Sequence, residues 1–246
     1  MHLSLSPHSF IMWLQQHPPE ILTLGLLISC GLVILFMTRL YGPVGLMVYS
    51  SLAVIVANLQ VQTATTYQFF DEPIALGTIV FSSIFIVSSI LTEYYGKAQA
   101  RKAVWLSFTA MIIVTFFMLV TIGFKPAKGF YEAHTAMCVL FLPAPALIAA
   151  SLIAYAVGQL NDIWLFAALS RLTRGKFLWF RSFLATLIGA FLDNLIFSVL
   201  AWMVFAPNPL PWSVVFFTYV LGTYLLRILV ALVGIPFVYL ARLMVR

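Results

Sequence analysis

Charge is what this chain has least of: Asp, Glu, Lys and Arg together make up 8% of its 246 residues. With 63% hydrophobic residues and a mean hydropathy of +1.06, too little polar surface remains to coat a water-soluble globule. That excludes a soluble domain and calls for lipid as the solvent. Cysteine is scarce as well. Cys30 and Cys138 fall in or beside apolar stretches without metal-ligand spacing, which argues for buried thiols and against a disulfide framework or a zinc site. The net charge of +6 is not gathered into any basic domain or aromatic-interleaved patch, so no nucleic-acid partner is expected. Sequence signatures of chemistry are missing too. There is no G-x-x-x-x-G-K-[ST] loop, no H-E-x-x-H, no G-x-S-x-G and no Cys/His cluster. An enzyme is therefore not expected, nor a metal or other cofactor.

What the chain does have is long apolar runs. A helix crossing the hydrocarbon needs about 20 predominantly apolar residues. Seven runs approach that length, near Ile21–Met37, Val44–Val61, Ile74–Leu91, Val104–Phe124, Ala146–Leu169, Phe183–Phe205 and Trp212–Leu240. The expected fold class is all-α: a single polytopic transmembrane domain over residues 1–246, a bundle of six to seven helices. The N-terminal segment lacks the basic region and small-residue cleavage site of a signal peptide and carries His2, His8 and His17, so the first run is expected to stay in the protein.

Basic residues set the orientation. With the N-terminus outside, the inner loops and tail hold Arg39, Lys97, Arg101, Lys102, Arg171, Arg174, Lys176, Arg181, Arg242 and Arg246. The outer loops hold Lys125 and Lys128, and Asp71–Pro73 carries no basic residue. This asymmetry predicts a multi-pass inner-membrane protein with the C-terminus cytoplasmic. It also makes "EYYGKAQARK" a cytoplasmic hairpin, with Gly96 taking the turn.

Polar residues inside the spans need another explanation. A charge at mid-membrane costs roughly 2.5–3.5 kcal/mol on insertion scales and faces the protein interior. Asp193 and Arg227 lie near the middle of the sixth and seventh spans, and are expected to face each other or share one polar cavity. Such a pair serves either as structure or as a substrate or coupling-ion site. In the fifth span Tyr155, Gln159 and Asp162 fall at i, i+4 and i+7 on one face, as a cavity wall or an interhelical hydrogen-bonding stripe. In the second, Asn58 and Gln62 share a face with Gln60 turned away, a pattern that reads as interfacial. Gly189, near Ala185, reads as a close helix contact.

The segments "VIVANLQVQ", "SILTEYYGKAQARKAVW", "AYAVGQLNDIWLF", "FLWFRSFLATLIGAFLDNLIF" and "YLLRILVALVGIPFVYL" occur in that order. Together they resemble the queuosine precursor transporter family, also called vitamin-uptake transporters. The resemblance covers about residues 38–242, leaving 1–37 as an N-terminal tail and extra first helix. It implies import of a queuosine precursor or salvage base of the 7-deazaguanine type (preQ0, preQ1 or queuine). It also implies a helical fold like the substrate-binding components of energy-coupling-factor vitamin transporters. Matching positions carry a substrate-binding role to Asn58, Gln60, Glu93, Gln159, Asp162, Asp193 and, in place of a more frequent Lys, Arg227; Arg181 also matches. Two positions depart: Gln62 where the family has Lys, and Ser88–Ser89 where it has Thr-Asp. Loss of a cation and a carboxylate together suggests that they were partners. The expected partners are the small-molecule base and membrane lipid. A homo-oligomer is compatible with the sequence, and so is a binding subunit that works with a separate ATPase module, although a transporter acting alone is favoured.

Overall fold

The computed structural model describes residues 7–68, 73–142, 144–206 and 208–245; His2, Asp71 and Arg246 lie outside them. Among the described residues, six helices are long and apolar enough to cross a membrane. In chain order the elements begin with α1 (Pro7–Leu14) and α2 (Pro19–Gln60), followed by a two-stranded antiparallel ladder of β1 (Ala64–Thr65) and β2 (Ile74–Ala75). Next come α3 (Gly77–Ile90), α4 (Lys97–Ile122), α5 (Tyr131–Phe141), α6 (Ala144–Leu172) and α7 (Leu178–Val199). The short α8 (Trp212–Val214) and α9 (Gly222–Ala241) complete the bundle. Large apolar side chains such as Leu32, Val33, Phe116, Phe117 and Trp164 stand exposed around it, as lipid-facing residues do.

The longest helix holds the first two apolar runs. Within α2, Gly42 leaves helical geometry at φ 56° and ψ −136°, directly before Pro43. Only glycine adopts such a backbone without steric penalty. A straight helix would hold Thr23 and Gln60 roughly 55 Å apart, and the stretch from Gln60 to Tyr67 extends over at most about 25 Å. Yet the Thr23 and Tyr67 hydroxyls are hydrogen-bonded at 2.8 Å, and the Gln68 amide donates to Glu20 at 2.7 Å. The chain therefore folds back at Gly42, and the two arms supply the two passes expected from sequence.

α3 is the axle of the bundle: every residue from Gly77 to Ile90 is buried. It has no lipid-facing side, and its sequence is apolar apart from Thr78 and four serines. Three of those serines bond outward to its neighbours. Tyr49 of α2 meets Ser83 at 2.7 Å, Ser88 donates to Asp162 of α6 at 2.6 Å, and Ser182 of α7 donates to Ser89 at 3.0 Å. Interhelical hydroxyl bonds of this kind contribute about 0.6 kcal/mol each in a membrane protein.

α6 and α7 cross through their glycines. A methyl built on Gly158 would stand 2.6 Å from Asp193 Cβ, and one on Gly189 would stand 2.9 Å from Asp162 Cβ. The close contact expected at Gly189 is thus made with Gly158 and Asp162. Each helix carries the same G-x-x-x-D unit, and each aspartate packs on the other helix's glycine. Because the neighbours are backbone and Cβ atoms, Gly158→Ala is expected to destabilise the protein by about 1–3 kcal/mol through overpacking. Thermal unfolding of the purified variant in detergent checks this, and an unchanged midpoint would show that the crossing has slack.

The bundle has two unlike ends. One holds the Gly42 reversal, the Gly96 turn (φ 86°) and the α6–α7 connection, where Arg174, Gly175 and Phe177 have positive φ. The opposite end holds the β ladder, α5 and α8. The first end carries Arg39, Lys97, Arg101, Lys102, Arg171, Arg174, Lys176, Arg181 and Arg242, against Lys125 and Lys128 at the other.

Candidate functional site: a polar cavity closed at the basic end

A cavity of about 300 Å³ runs inward from the β-ladder end between α2, α3, α6, α7 and α9. One wall descends from Trp202, in the π-helical turn Leu200–Val204 that follows α7, to Ser198, Asn194 and Asp193 of α7, and the other from Tyr219, in the π-helical turn Val215–Leu221 that precedes α9, to Thr223 and Arg227 of α9. Each wall is about 13 Å long at the helical rise. Asn58 of α2, Gln62 in the turn just after it, Thr78 and Phe81 of α3, and Ser151 of α6 complete the polar and aromatic lining.

At its deep limit lies an ion pair. Arg227 Nη1 donates to Asp193 Oδ2 at 2.5 Å, both side chains are buried, and the guanidinium sits 5.5 Å above the Phe81 ring. The expectation that these two residues face each other at one cavity holds. Beside them Asn194 Nδ2 donates to the Val220 carbonyl at 2.7 Å and to Thr223 Oγ1 at 2.8 Å, fixing α7 against α9.

The wall is irregular where it meets the mouth. Residues Leu200–Val204 and Val215–Leu221 form π-helical turns, the widened geometry that recurs at functional sites. They bring Trp202 and Tyr219 together with ring centroids 4.8 Å apart and planes at 32°. Both rings line the cavity.

The sequence-derived residues separate into groups. Asn58, Asp193 and Arg227 line the cavity, and Gln62 joins them rather than sitting only at the interface; its Nε2 also donates to the Leu140 carbonyl. Gln60, on the adjacent face, does not line it. Gln159 and Asp162 are fully buried below it, where Tyr155 and Gln159 border a separate void of about 10 Å³, room for one water. The Tyr155 stripe therefore faces a packed interior and not the wall of the main cavity. Glu93 lies at the basic end, accepting from Arg181 Nη1 at 2.9 Å and Nη2 at 3.0 Å. Gln62 and Ser89 are no pair: Ser89 lies about 18 Å down α3 from Gly77, which packs against Val61. Missing from the sequence reading were Ser151, Asn194, Ser198, Trp202, Tyr219 and Thr223. The available signal was helical spacing outward from the two central charges, with Thr223 at i−4 from Arg227 and Ser198 at i+4 from Asn194, the neighbour of Asp193.

An apolar helical bundle around a polar, solute-sized cavity is an architecture that a membrane transport protein requires. This chain belongs to the family described as "Putative vitamin uptake transporter", whose model matches residues 75–241. It is 31% identical over 215 residues to a protein of Bacillus subtilis named "Probable queuosine precursor transporter", covering 87% of this chain and 90% of that one. It is 26% identical over 126 residues, 51% of each chain, to a Haemophilus influenzae protein of the same name. No solved structure matches it.

Proposed function

We propose that the protein imports a queuosine precursor or salvage base of the 7-deazaguanine type across the inner membrane, acting without an ATPase partner. The observation that carries this reading is the Asp193–Arg227 pair at the deep limit of a cavity of about 300 Å³. That volume is the lower bound of ligand pockets, about 300–1,000 Å³, and suits a compact planar solute. The edge of a guanine-like base presents N1–H and an exocyclic amine, which one carboxylate receives in two parallel charge-assisted bonds. Asp193 fills that role, while Arg227 and Asn58 donate to the base's carbonyl. Trp202 and Tyr219 give it a stacking face near the mouth. In this reading Gln60, Glu93, Gln159 and Asp162 serve structure and transport without touching the base.

The test is uptake of radiolabelled 7-deazaguanine bases, each supplied separately, into cells lacking their own importer, with tRNA queuosine as a second readout. Failure of every base despite membrane expression would overturn the substrate. Purified protein in liposomes should transport without ATP, and a strict need for ATP and a second protein would favour the binding-subunit reading. Stacking on aromatics is worth about 1–3 kcal/mol per base, so Trp202→Ala is expected to weaken apparent affinity roughly 5- to 150-fold. An unchanged half-saturation concentration would remove Trp202 from the site.

The orientation is part of the proposal: the cavity faces outward and the basic end faces the cytoplasm. Single cysteines at Ala98 and Asn208 should then label from opposite sides with an impermeant thiol reagent. Labelling of both from one side would reverse or refold this topology.

A further inference from the structure

Among the described residues, Asp162 is the one buried carboxylate that neither the cavity nor an ion pair accounts for. It is 0% exposed, and the two salt bridges among the described residues join Arg181 to Glu93 and Arg227 to Asp193. Its Oδ2 accepts from Ser88, while Oδ1 makes no hydrogen bond of good geometry among the described residues. An ionised carboxylate held this way, without a countercharge, would be costly in the middle of a membrane bundle. A neutral carboxylic acid is compatible with the site.

The surroundings agree. α3 presents Ser88, and no residue of Gly77–Ile90 is charged. From α7 come Thr186 and, four residues beyond Gly189, Asp193, whose charge is met by Arg227 of α9. Arg181, at the start of α7, is held by Glu93. The cations of α4, Lys97, Arg101 and Lys102, stand exposed at the basic end, as does Arg171 at the end of α6. On α6 itself the ionisable neighbour is Tyr155.

A column of polar side chains lies between this carboxyl and the cavity. Ser151 lines the cavity, and Tyr155, Gln159 and Asp162 follow it down one face of α6. The Tyr155 hydroxyl, Gln159 Nε2 and Asp162 Oδ1 are buried and make no hydrogen bond of good geometry, with the Ser107 hydroxyl close to Tyr155 and the Thr186 hydroxyl close to Asp162, and the water-sized void borders Tyr155, Gln159, Ser88 and Ser50. Tyr155 packs edge-on to Phe81, itself a cavity residue, with centroids 5.8 Å apart. Past Asp162 toward the basic end come Phe166 and the Arg181 guanidinium above its ring, at 5.3 Å. The reciprocal G-x-x-x-D crossing thus places one aspartate on the cavity and the other behind it.

We infer that Asp162 is a proton-binding site that couples solute import to the proton gradient, an inference that rests on the transport reading above. The proton enters from water in the cavity along the Tyr155–Gln159 column and adds to Oδ1. It leaves the same oxygen toward the basic end when the α6–α7 crossing shifts. The neutral acid favours the closed packing, and the anion left after release favours exposure to water. Asp193, with its charge met by Arg227, stays available to the solute.

The experiment uses the purified full chain in liposomes with a radiolabelled 7-deazaguanine base. Wild type should exchange the base at equal pH, and should accumulate it above equilibrium when the lumen is made alkaline, an accumulation that a protonophore abolishes. Asp162→Asn, which preserves a neutral polar side chain, should still exchange the base but lose accumulation and its pH dependence. Accumulation by Asp162→Asn equal to wild type, wild-type exchange without gradient-driven accumulation, or accumulation that follows a sodium gradient at equal pH would each overturn the inference. Infrared spectroscopy provides a readout that needs no solute. Wild type should show a protonated-acid carbonyl band that Asp162→Asn removes and Asp162→Glu shifts, and absence of such a band would also overturn the inference. If wild type exchanges none of the bases, the substrate reading fails, and the infrared band still decides whether Asp162 holds a proton.

Discussion

Asp193→Asn is expected to abolish uptake of a 7-deazaguanine base and to lower the yield of folded protein. Two effects combine. The substitution removes one of the two acceptor oxygens that a guanine-like edge needs, and puts an amide donor where the base presents its own donors. It also leaves the Arg227 guanidinium, 7% exposed above Phe81, without its countercharge. Removing one partner of a buried pair costs on the order of 3–5 kcal/mol, because the other charge stays buried and uncompensated. Folding and function separate in the double variant. Asp193→Asn with Arg227→Gln removes both charges, so the folded yield should return while uptake does not. Size-exclusion profiles and thermal midpoints in detergent follow the first quantity, and initial uptake rates follow the second. Wild-type uptake by the double variant would mean that Asp193 is structural and that the base is read elsewhere in the cavity.

The central pair was legible in the sequence because two opposite charges at matching depth have few alternatives to meeting. The same logic did not extend to the rest of the lining. Ser151, Ser198 and Thr223 are small polar residues of a kind common on packed helix faces, and their chemistry does not say which face turns inward. Trp202 and Tyr219 meet because Leu200–Val204 and Val215–Leu221 are π-helical. An extra residue per turn rotates side chains off the 3.6-residue projection, and it arises from tertiary fit without leaving a compositional mark. The Tyr155–Gln159–Asp162 stripe was read correctly as one face, but a stripe does not reveal whether its neighbour is a large cavity or a water-sized void. The reversal at Gly42 was readable as a boundary between two apolar runs, whereas continuous helical hydrogen bonding up to each side of it was not. Glu93 and Arg181 illustrate a different limit. They are 88 residues apart in sequence, and nothing local in either segment pairs Glu93, in the π-helical turn Leu91–Tyr95 after α3, with that particular arginine among several basic residues nearby.

The second ion pair braces the basic end of the bundle, and breaking it should have the next largest effect. Arg181 is 1% exposed and engages Glu93 through both terminal nitrogens; Nη1 also donates to Ser170 Oγ at 2.6 Å and Nη2 to the Gly175 carbonyl at 3.1 Å. The guanidinium therefore ties the segment after α3 to the end of α6 and the start of α7, with Phe166 stacked beneath it. Only a planar fork makes the two parallel bonds to a carboxylate, so Arg181→Lys should behave as a loss and not as a conservative change. Glu93→Gln leaves the guanidinium buried without a countercharge. Its cost is expected near about 3 kcal/mol, the low end for a buried pair, because the Glu93 side chain keeps 22% of its exposure and water offsets part of the loss. Each single variant should lower the thermal midpoint in detergent. Combining Glu93→Gln with Arg181→Gln should cost less than the sum of the two changes, since neither charge is then orphaned. A binding role for Glu93 makes a different forecast: weakened affinity for the base with an unchanged midpoint. That result would move the solute's path to the basic end and show that Glu93 meets the base directly.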